Sequence, residues 1–442
     1  MSKKINLHLD ILGAGPAGLG VGYFAKKNKI PVSIYELSNR VGGNCKTIIK
    51  GDFRYDTGAH RLHDKHHYVT SEIKTLLGNE LSKINVPSKI FHKGSLIDFP
   101  LNVTNLVENL CPQDLLKIGF ENIMNIFKRS RGVTTFKQLA YQNYGKTLSE
   151  LFLINYTQKL WGCSANTLDP SISGSRLKNL TFTSLIKTLI TDRSDSSHLD
   201  GSFFYPQYGF GTIFDKMSEF IGLGNIVLNS KITKLKHDGN KINEIQYNCK
   251  DFVEPGVVIN TLPINILVDI FDPSPPAEVI NTLNAIEFRD VRLCIIYLDV
   301  PKFSDNASIY FPESKFIFNR IYEPKNRSLM MAPKNKTCIV VETSNKRGEF
   351  SLSDKKYFKT IESSLIEEGL IRKSEIFDYE VGHIPNAYPV LKVGAYKKIK
   401  TALSYFSSFD NHILHGRNAE FKYIHTHDIL SKSKAIIDNI AI

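Results

Sequence analysis

The chain has 442 residues, of which 42% are hydrophobic and 23% charged, and a formal net charge of +12. That length leaves room for two or three domains with a large core, and the composition excludes disordered, collagen-like and fibrous chains. No apolar run approaches the ~18 residues of a membrane span, and the start MSKKINLHLD lacks the apolar core of a secretion signal, so a soluble, cytoplasmic protein is expected. A positive balance favours anionic partners. The lysines are nevertheless spread along the chain, and no basic cluster interleaved with aromatics marks a nucleic-acid surface. The six cysteines (Cys45, Cys111, Cys163, Cys249, Cys294, Cys338) form no C-x-x-C pair, which suits a reducing compartment and gives no zinc signature.

The stretch from Leu7 to Gly43 holds a complete βαβ unit. Leu7, Leu9, Ile11 and Leu12 make a short apolar strand that runs into Gly13-Ala14-Gly15-Pro16-Ala17-Gly18, the G-x-G-x-x-G spacing of a dinucleotide site. Gly13 permits the tight turn, Gly15 lets the backbone approach a pyrophosphate, and Gly18 lets the following helix pack on the strand. That helix, from about Pro16 to Asn28, aims its free N–H groups at the pyrophosphate. A second strand, Val32 to Tyr35, ends in Glu36, close to the ~20-residue interval at which an acid accepts hydrogen bonds from a ribose.

Beyond this unit, Asp52 to His67 reads as strand then loop, and residues 85–100 carry short β-like runs. From Asn105 to about Ile190 the apolar spacing becomes helical. Residues 203–247 then give a Gly-rich entry, a helix and a hairpin around Asp238-Gly239-Asn240. Val257 to Thr261 is a buried-strand run that returns the chain to the first sheet. Residues 285–345 alternate β-rich segments with turns, and His412 to His415 returns once more before a closing helix. The expected fold is therefore α/β: a Rossmann-type dinucleotide domain with an inserted helical domain and an antiparallel β-sheet substrate domain. The expected boundaries are 1–100, 203–262 and 380–442 for the discontinuous nucleotide domain, 101–202 for the helical domain and 263–379 for the substrate domain.

Several segments carry candidate chemistry. Gly58-Ala59-His60-Arg61-Leu62-His63 lies in a stretch with four histidines, yet neither H-E-x-x-H nor a Cys/His spacing is present, so no metal is expected and His66 and His67 read as structural or solvated. Tyr156-Thr157-Gln158-Lys159-Leu160-Trp161-Gly162 holds the single tryptophan, which by composition alone would read as core. Tyr310, Arg320, Tyr388 and the run Gly416-Arg417-Asn418-Ala419-Glu420-Phe421-Lys422-Tyr423 add tyrosines and arginines suited to a diphosphate, because a guanidinium bonds two oxygens at once. Lys422 is assigned no role.

These motifs, in this order, carry a family resemblance. Glu36-x-x-x-Arg40-x-Gly42-Gly43 resembles the second signature of the flavin amine-oxidase and protoporphyrinogen-oxidase superfamily, whereas Arg40 alone would read as a solvated surface charge. Gly-Ala-His60-x-x-His63, the Trp161 segment, Gly174-Ser175-Arg176, Arg320-Ile-x-Glu323 and the C-terminal Gly-Arg417 motif are similar to those of UDP-galactopyranose mutases. The resemblance implies FAD, active in its reduced form, bound by Gly13, Gly15, Pro16, Ala17, Gly18, Glu36, Arg40, Gly42, Gly43, Asn44, His60 and Arg417. It implies Trp161, Arg176, Tyr310, Arg320, Tyr388 and Tyr423 as substrate-binding residues, with His60, Arg176, Arg320 and Tyr423 serving catalysis. The implied reaction interconverts pyranose and furanose forms of a nucleotide-diphosphate sugar through attack of reduced flavin N5 on the anomeric carbon. NAD(P)H is a candidate reductant, a homodimer is compatible, and neither nucleic acid nor membrane insertion is expected. Two departures from the pattern bear on the sugar: His425 stands where the bacterial mutases have an aspartate, and their mobile-loop arginine after Arg176 is absent from Lys178-Asn179-Leu180-Thr181. The alternative is an FAD-dependent oxidoreductase acting on an amine or ring system. A third reading, a non-catalytic flavoprotein scaffold, is opposed by the intact motifs.

Overall fold

The computed structural model describes residues 7–127, 132–173 and 202–441. Strand β1 (Leu9–Leu12), helix α1 (Pro16–Lys27) and strand β2 (Val32–Tyr35) form the expected crossover. β1 is the middle strand of a five-stranded sheet in the order 412–414, 257–260, β1, β2, 226–227, and every pair is parallel. A parallel sheet is covered on both faces, so the middle strand is buried at all four positions. The one charged residue there, Asp10, accepts hydrogen bonds from Gly256 N (3.0 Å) and the Tyr35 hydroxyl (3.3 Å), which satisfies a carboxylate that burial would otherwise disfavour. The hairpin expected around Asp238-Gly239-Asn240 joins Ile232–His237 to Ile242–Tyr247.

The second large sheet has seven strands in the order 376–389, 288–298, 337–346, 320–322, 308–310, 88–92, 95–99. All its pairs are antiparallel except 308–310 with 88–92. Residues 88–99 and 380–389, expected with the nucleotide domain, thus belong to this antiparallel sheet with residues 288–346. The physical reason is that Ser88–His92 offers its backbone edge to Ser308–Tyr310, a pairing across more than two hundred residues that leaves no local trace in the sequence.

The expected helical insertion begins with Val103–Asn109, Pro112–Phe127, Phe136–Tyr144 and an almost continuous helical run from Lys146 to Trp161. Leu106, Leu110, Ile118, Tyr144, Leu148 and Phe152 form its core, shared with Ile90 and Ile97 of the seven-stranded sheet. The site lies where these three layers meet.

Candidate functional site

The nucleotide cradle is a consequence of backbone sterics. Gly13 adopts φ +101°, a conformation open to glycine, and a Cβ at Gly18 would stand 1.9 Å from the Gly13 carbonyl oxygen. Gly42 N donates to Ala14 O at 2.8 Å, which lays the Arg40-Val41-Gly42-Gly43 loop against the first glycine loop. Gly43, at φ +53°, comes so close that a Cβ on it would sit 2.9 Å from Gly15 Cα. Pro16 occupies the first turn of α1, where its missing N–H costs nothing. Glu36 is buried at the end of β2, with Oε2 accepting from Ala14 N (2.8 Å) and Oε1 from Ser38 N (2.9 Å). Two glycine loops pressed together at a helix N-terminus, with a carboxylate at the neighbouring strand end, fit a dinucleotide. Arg40 donates through Nη1 to Thr47 O (2.9 Å) and stands 3.7 Å from Asp215, so its guanidinium ties the loop to the following strand.

Beside this cradle a cavity of about 190 Å³ opens between the sheets and the helices. Asn44, His60, Tyr310, Arg320, Tyr388, Arg417 and Tyr423 all line it, so the structure brings together residues spread over nearly four hundred positions. His60 donates from Nε2 to Asn44 O (3.0 Å), has Nδ1 3.8 Å from the Cys45 thiol, and stacks on Phe210 with ring centroids 5.2 Å apart. Burial, reinforced by the charges of Arg417 and Arg327, pushes its pKa down to about 3, so it is neutral at pH 7. Burial likewise pushes the Tyr388 hydroxyl up to about 12, with Glu342 adding to the shift. Arg417 donates through Nε and Nη2 to Ile424 O (3.0 and 2.7 Å), which closes the loop that carries Tyr423, and its guanidinium stands 5.2 Å from the Tyr423 ring centre.

Three residues with no role expected from the sequence hold this arrangement. Glu342 accepts from Arg320 Nε at 2.9 Å and, through its other oxygen, from Ala59 N at 3.1 Å, so one carboxylate joins the His60 loop to the arginine. Burial opposes the charge on Arg320, and Glu342 with the surrounding tyrosines outweighs that effect. Arg327, fully buried, donates from Nη1 to the His60 carbonyl at 3.0 Å. Lys159 donates to the carbonyls of Phe311 (2.8 Å), Glu313 (3.0 Å) and Phe318 (2.7 Å), pinning the Trp161 helix to the turn before Arg320, and burial lowers its pKa to about 7. A charged residue inside Ile339-Val340-Val341-Glu342-Thr343 is a signal for Glu342. Arg327 and Lys159 have no comparable signal.

Trp161 is buried, as composition alone suggests, with its ring centroid 5.4 Å from Tyr423 and 5.9 Å from Tyr388, so it backs both tyrosines. It lines a smaller apolar pocket with Phe136, Phe152 and Tyr156 that shares Tyr310 and Tyr423 with the main cavity. Arg176 lies outside the described residues. Of the histidines, His63 lines the cavity, His66 pairs with Asp428 at 3.0 Å, and His67 is exposed beside Asp64. Among the described residues no group of three or more His, Cys, Asp or Glu side chains could hold a metal ion. Among the same residues no helix is long and apolar enough to cross a membrane.

Residues 23–365 match the family model of flavin containing amine oxidoreductases. The chain belongs to this family. It is an FAD-binding enzyme of the amine oxidoreductase superfamily. An L-amino-acid oxidase of Crotalus adamanteus is 39% identical over 85 residues, 19% of this chain. The chain spans only 13% to 16% of the length of the curated oxidases it matches. In fold, a reduced UDP-galactopyranose mutase superposes with TM-score 0.87 over 98% of this chain and 93% of that one, at 16% identity. A putrescine oxidase solved with putrescine superposes with TM-score 0.67 over 98% of both chains, at 16% identity.

Proposed function

We propose that this flavoenzyme interconverts the pyranose and furanose forms of a nucleotide-diphosphate sugar. The observation that carries this reading is the charge of the cavity. Among the described lining residues, Arg61, Lys65, Arg320 and Arg417 are cationic and Glu342 is the sole carboxylate, already bonded to Arg320 and Ala59. Such a wall attracts a diphosphate and repels an amine cation. The likeness in fold to a UDP-galactopyranose mutase supports the same choice.

Reduced FAD, held at the cradle, would supply the nucleophile for the anomeric carbon. The side chains bind and orient. Arg320 commits Nε and Nη2 to Glu342, leaving Nη1 for a diphosphate oxygen, and Arg176 is expected to join it. Tyr310, Tyr388 and Tyr423 offer hydroxyls along the cavity, and the apolar pocket beside Trp161 suits the nucleoside base. His60, neutral and engaged at both ring nitrogens, holds geometry and moves no proton.

The second reading is an FAD-dependent oxidase, favoured by the short sequence match to L-amino-acid oxidases. Dithionite-reduced protein given UDP-galactopyranose and related nucleotide sugars under argon is expected to form a furanose product. No furanose from any of them would refute the mutase reading. Oxygen consumption matched to an amino acid or amine would establish the second.

A further inference from the structure

A second cavity, of about 940 Å³, shares no lining residue with the site described above. One wall is the strand Leu81–Asn85, and the others come from residues 301–305 and 325–330. A cavity of this size takes a small organic molecule. Its wall is lopsided in charge. Lys83, Lys302, Lys325 and Arg327 are cationic, and Asp305, which pairs with Lys302, is the sole carboxylate among the described lining residues.

The two inner cations are held by neutral groups. Lys325 Nζ donates to the carbonyls of Pro301 (2.9 Å), Pro333 (2.6 Å), Lys334 (2.7 Å) and Lys336 (2.8 Å). Arg327 donates to those of His60 (3.0 Å) and Ala307 (3.4 Å). Carbonyl oxygens fix a cation in place without cancelling its charge. Arg327 is fully buried against the Tyr205 and Tyr322 rings, 5.7 and 4.8 Å from their centres, and its Nε has no partner. A guanidinium N–H buried without an acceptor is costly, and an oxyanion supplies the acceptor. Two acids act on these cations, Asp56 on Arg327 and Glu323 on Lys325, but neither lines the cavity, so the wall presents the positive end of each pair.

The same cavity has an apolar shelf. Leu329 and Met330 line it while 78% and 42% exposed, and Ile84, Val86 and Pro301 add apolar wall. We propose that this second cavity binds a nucleoside triphosphate, with the phosphates on Lys83, Lys302 and Arg327 and the base on Leu329 and Met330. An inorganic oxyanion makes no use of the exposed apolar pair, and two exposed side chains are too little surface for an acyl chain. The site needs only these charges and this shelf, so it stands apart from the nucleotide-sugar reading. Through Arg327 it lies one hydrogen bond from the His60 carbonyl.

The test is calorimetry of the FAD-loaded protein with ATP and with inorganic triphosphate, alongside Lys83→Glu/Lys302→Glu and, as a control for the main cavity, Arg320→Lys. Both lysines are exposed, so the double variant should keep its flavin content and thermal midpoint. The expected result is ATP bound by the wild type and equally by Arg320→Lys, and at least about a hundredfold more weakly by the double variant. Inorganic triphosphate should bind the wild type at least about tenfold more weakly than ATP, for want of a base. A wild type that binds no ATP up to millimolar concentration would overturn the proposal. So would ATP binding that the double variant retains in full, or that Arg320→Lys loses, because either places the nucleotide elsewhere. Equal affinity for ATP and inorganic triphosphate would overturn the placing of a base on Leu329 and Met330.

Discussion

In the nucleotide cradle the decisive contacts join near neighbours: the bond from Ala14 N to Glu36 spans 22 positions. In the cavity they join distant ones, with Ala59 to Glu342 spanning 283 positions and Arg327 to His60 spanning 267. The cradle is held by the absence of side chains, the cavity by charges that must find partners in a buried setting. The two should therefore fail differently: the cradle by steric exclusion of the cofactor, the cavity by loss of stability and substrate affinity with the cofactor still bound.

The largest effect is expected in the cradle. Gly18→Val would drive a Cβ to 1.9 Å from the Gly13 carbonyl oxygen, and the neighbour is backbone that cannot yield. The purified variant should carry no visible flavin absorbance, and little of it should fold. A variant retaining stoichiometric FAD would break the steric account.

Next comes Glu342→Ala, which strands the buried Arg320 guanidinium. Removing one partner of such a pair costs about 3–5 kcal/mol, and the thermal midpoint should fall by several degrees while flavin remains bound. Glu342→Gln should lose less, because it can still accept from Ala59 N. A midpoint unchanged in Glu342→Ala would show that the pair is not what holds the His60 loop to Arg320.

A smaller and more selective effect is expected from Arg320→Lys. It keeps the charge and loses the fork, so affinity for UDP measured by calorimetry should fall by roughly 10- to 100-fold, with the flavin spectrum unchanged. Equal UDP affinity in the two proteins would remove Arg320 from the substrate site.

The smallest effect is in pH dependence. The His60 pKa is lowered to about 3 in the folded state, against about 6.5 in an unfolded chain. Between these values the unfolded state binds the extra proton, so the stability His60 permits is complete above pH ~6.5 and is lost as pH falls toward the folded pKa. His60→Asn should flatten the acid side of the stability profile by up to about 1.4 kcal/mol per pH unit. Asp56, whose pKa is raised by burial, acts in the opposite direction in both proteins and cancels in the comparison. Parallel profiles for the two proteins would contradict a buried, neutral His60.

The same contrast explains what the sequence disclosed. The β1–α1–β2 unit, the return through Val257–Asn260 and the hairpin at Asp238–Asn240 follow from period and turn chemistry, which act over a few residues. The pairing of Ser88–His92 with Ser308–Tyr310 does not, because a strand edge carries no label for its distant partner. In the site, His60, Arg320, Tyr388, Arg417 and Tyr423 were legible as ordered motifs and converge on one cavity. Glu342 was legible only as an acid in an apolar strand. Arg327, in Asn326-Arg327-Ser328, looks like any loop arginine until its bond to the His60 carbonyl is seen. Trp161 was legible as core from composition and as substrate-binding from the resemblance, whereas its place behind Tyr388 and Tyr423 depends on contacts across more than two hundred positions.

The most direct test of the central claim is the redox balance of turnover. Protein reduced once, freed of excess reductant under argon and supplied with the nucleotide sugar it converts, should form many furanose equivalents per flavin and remain reduced at the end. Product limited to one equivalent per flavin, accompanied by flavin reoxidation, would contradict the account.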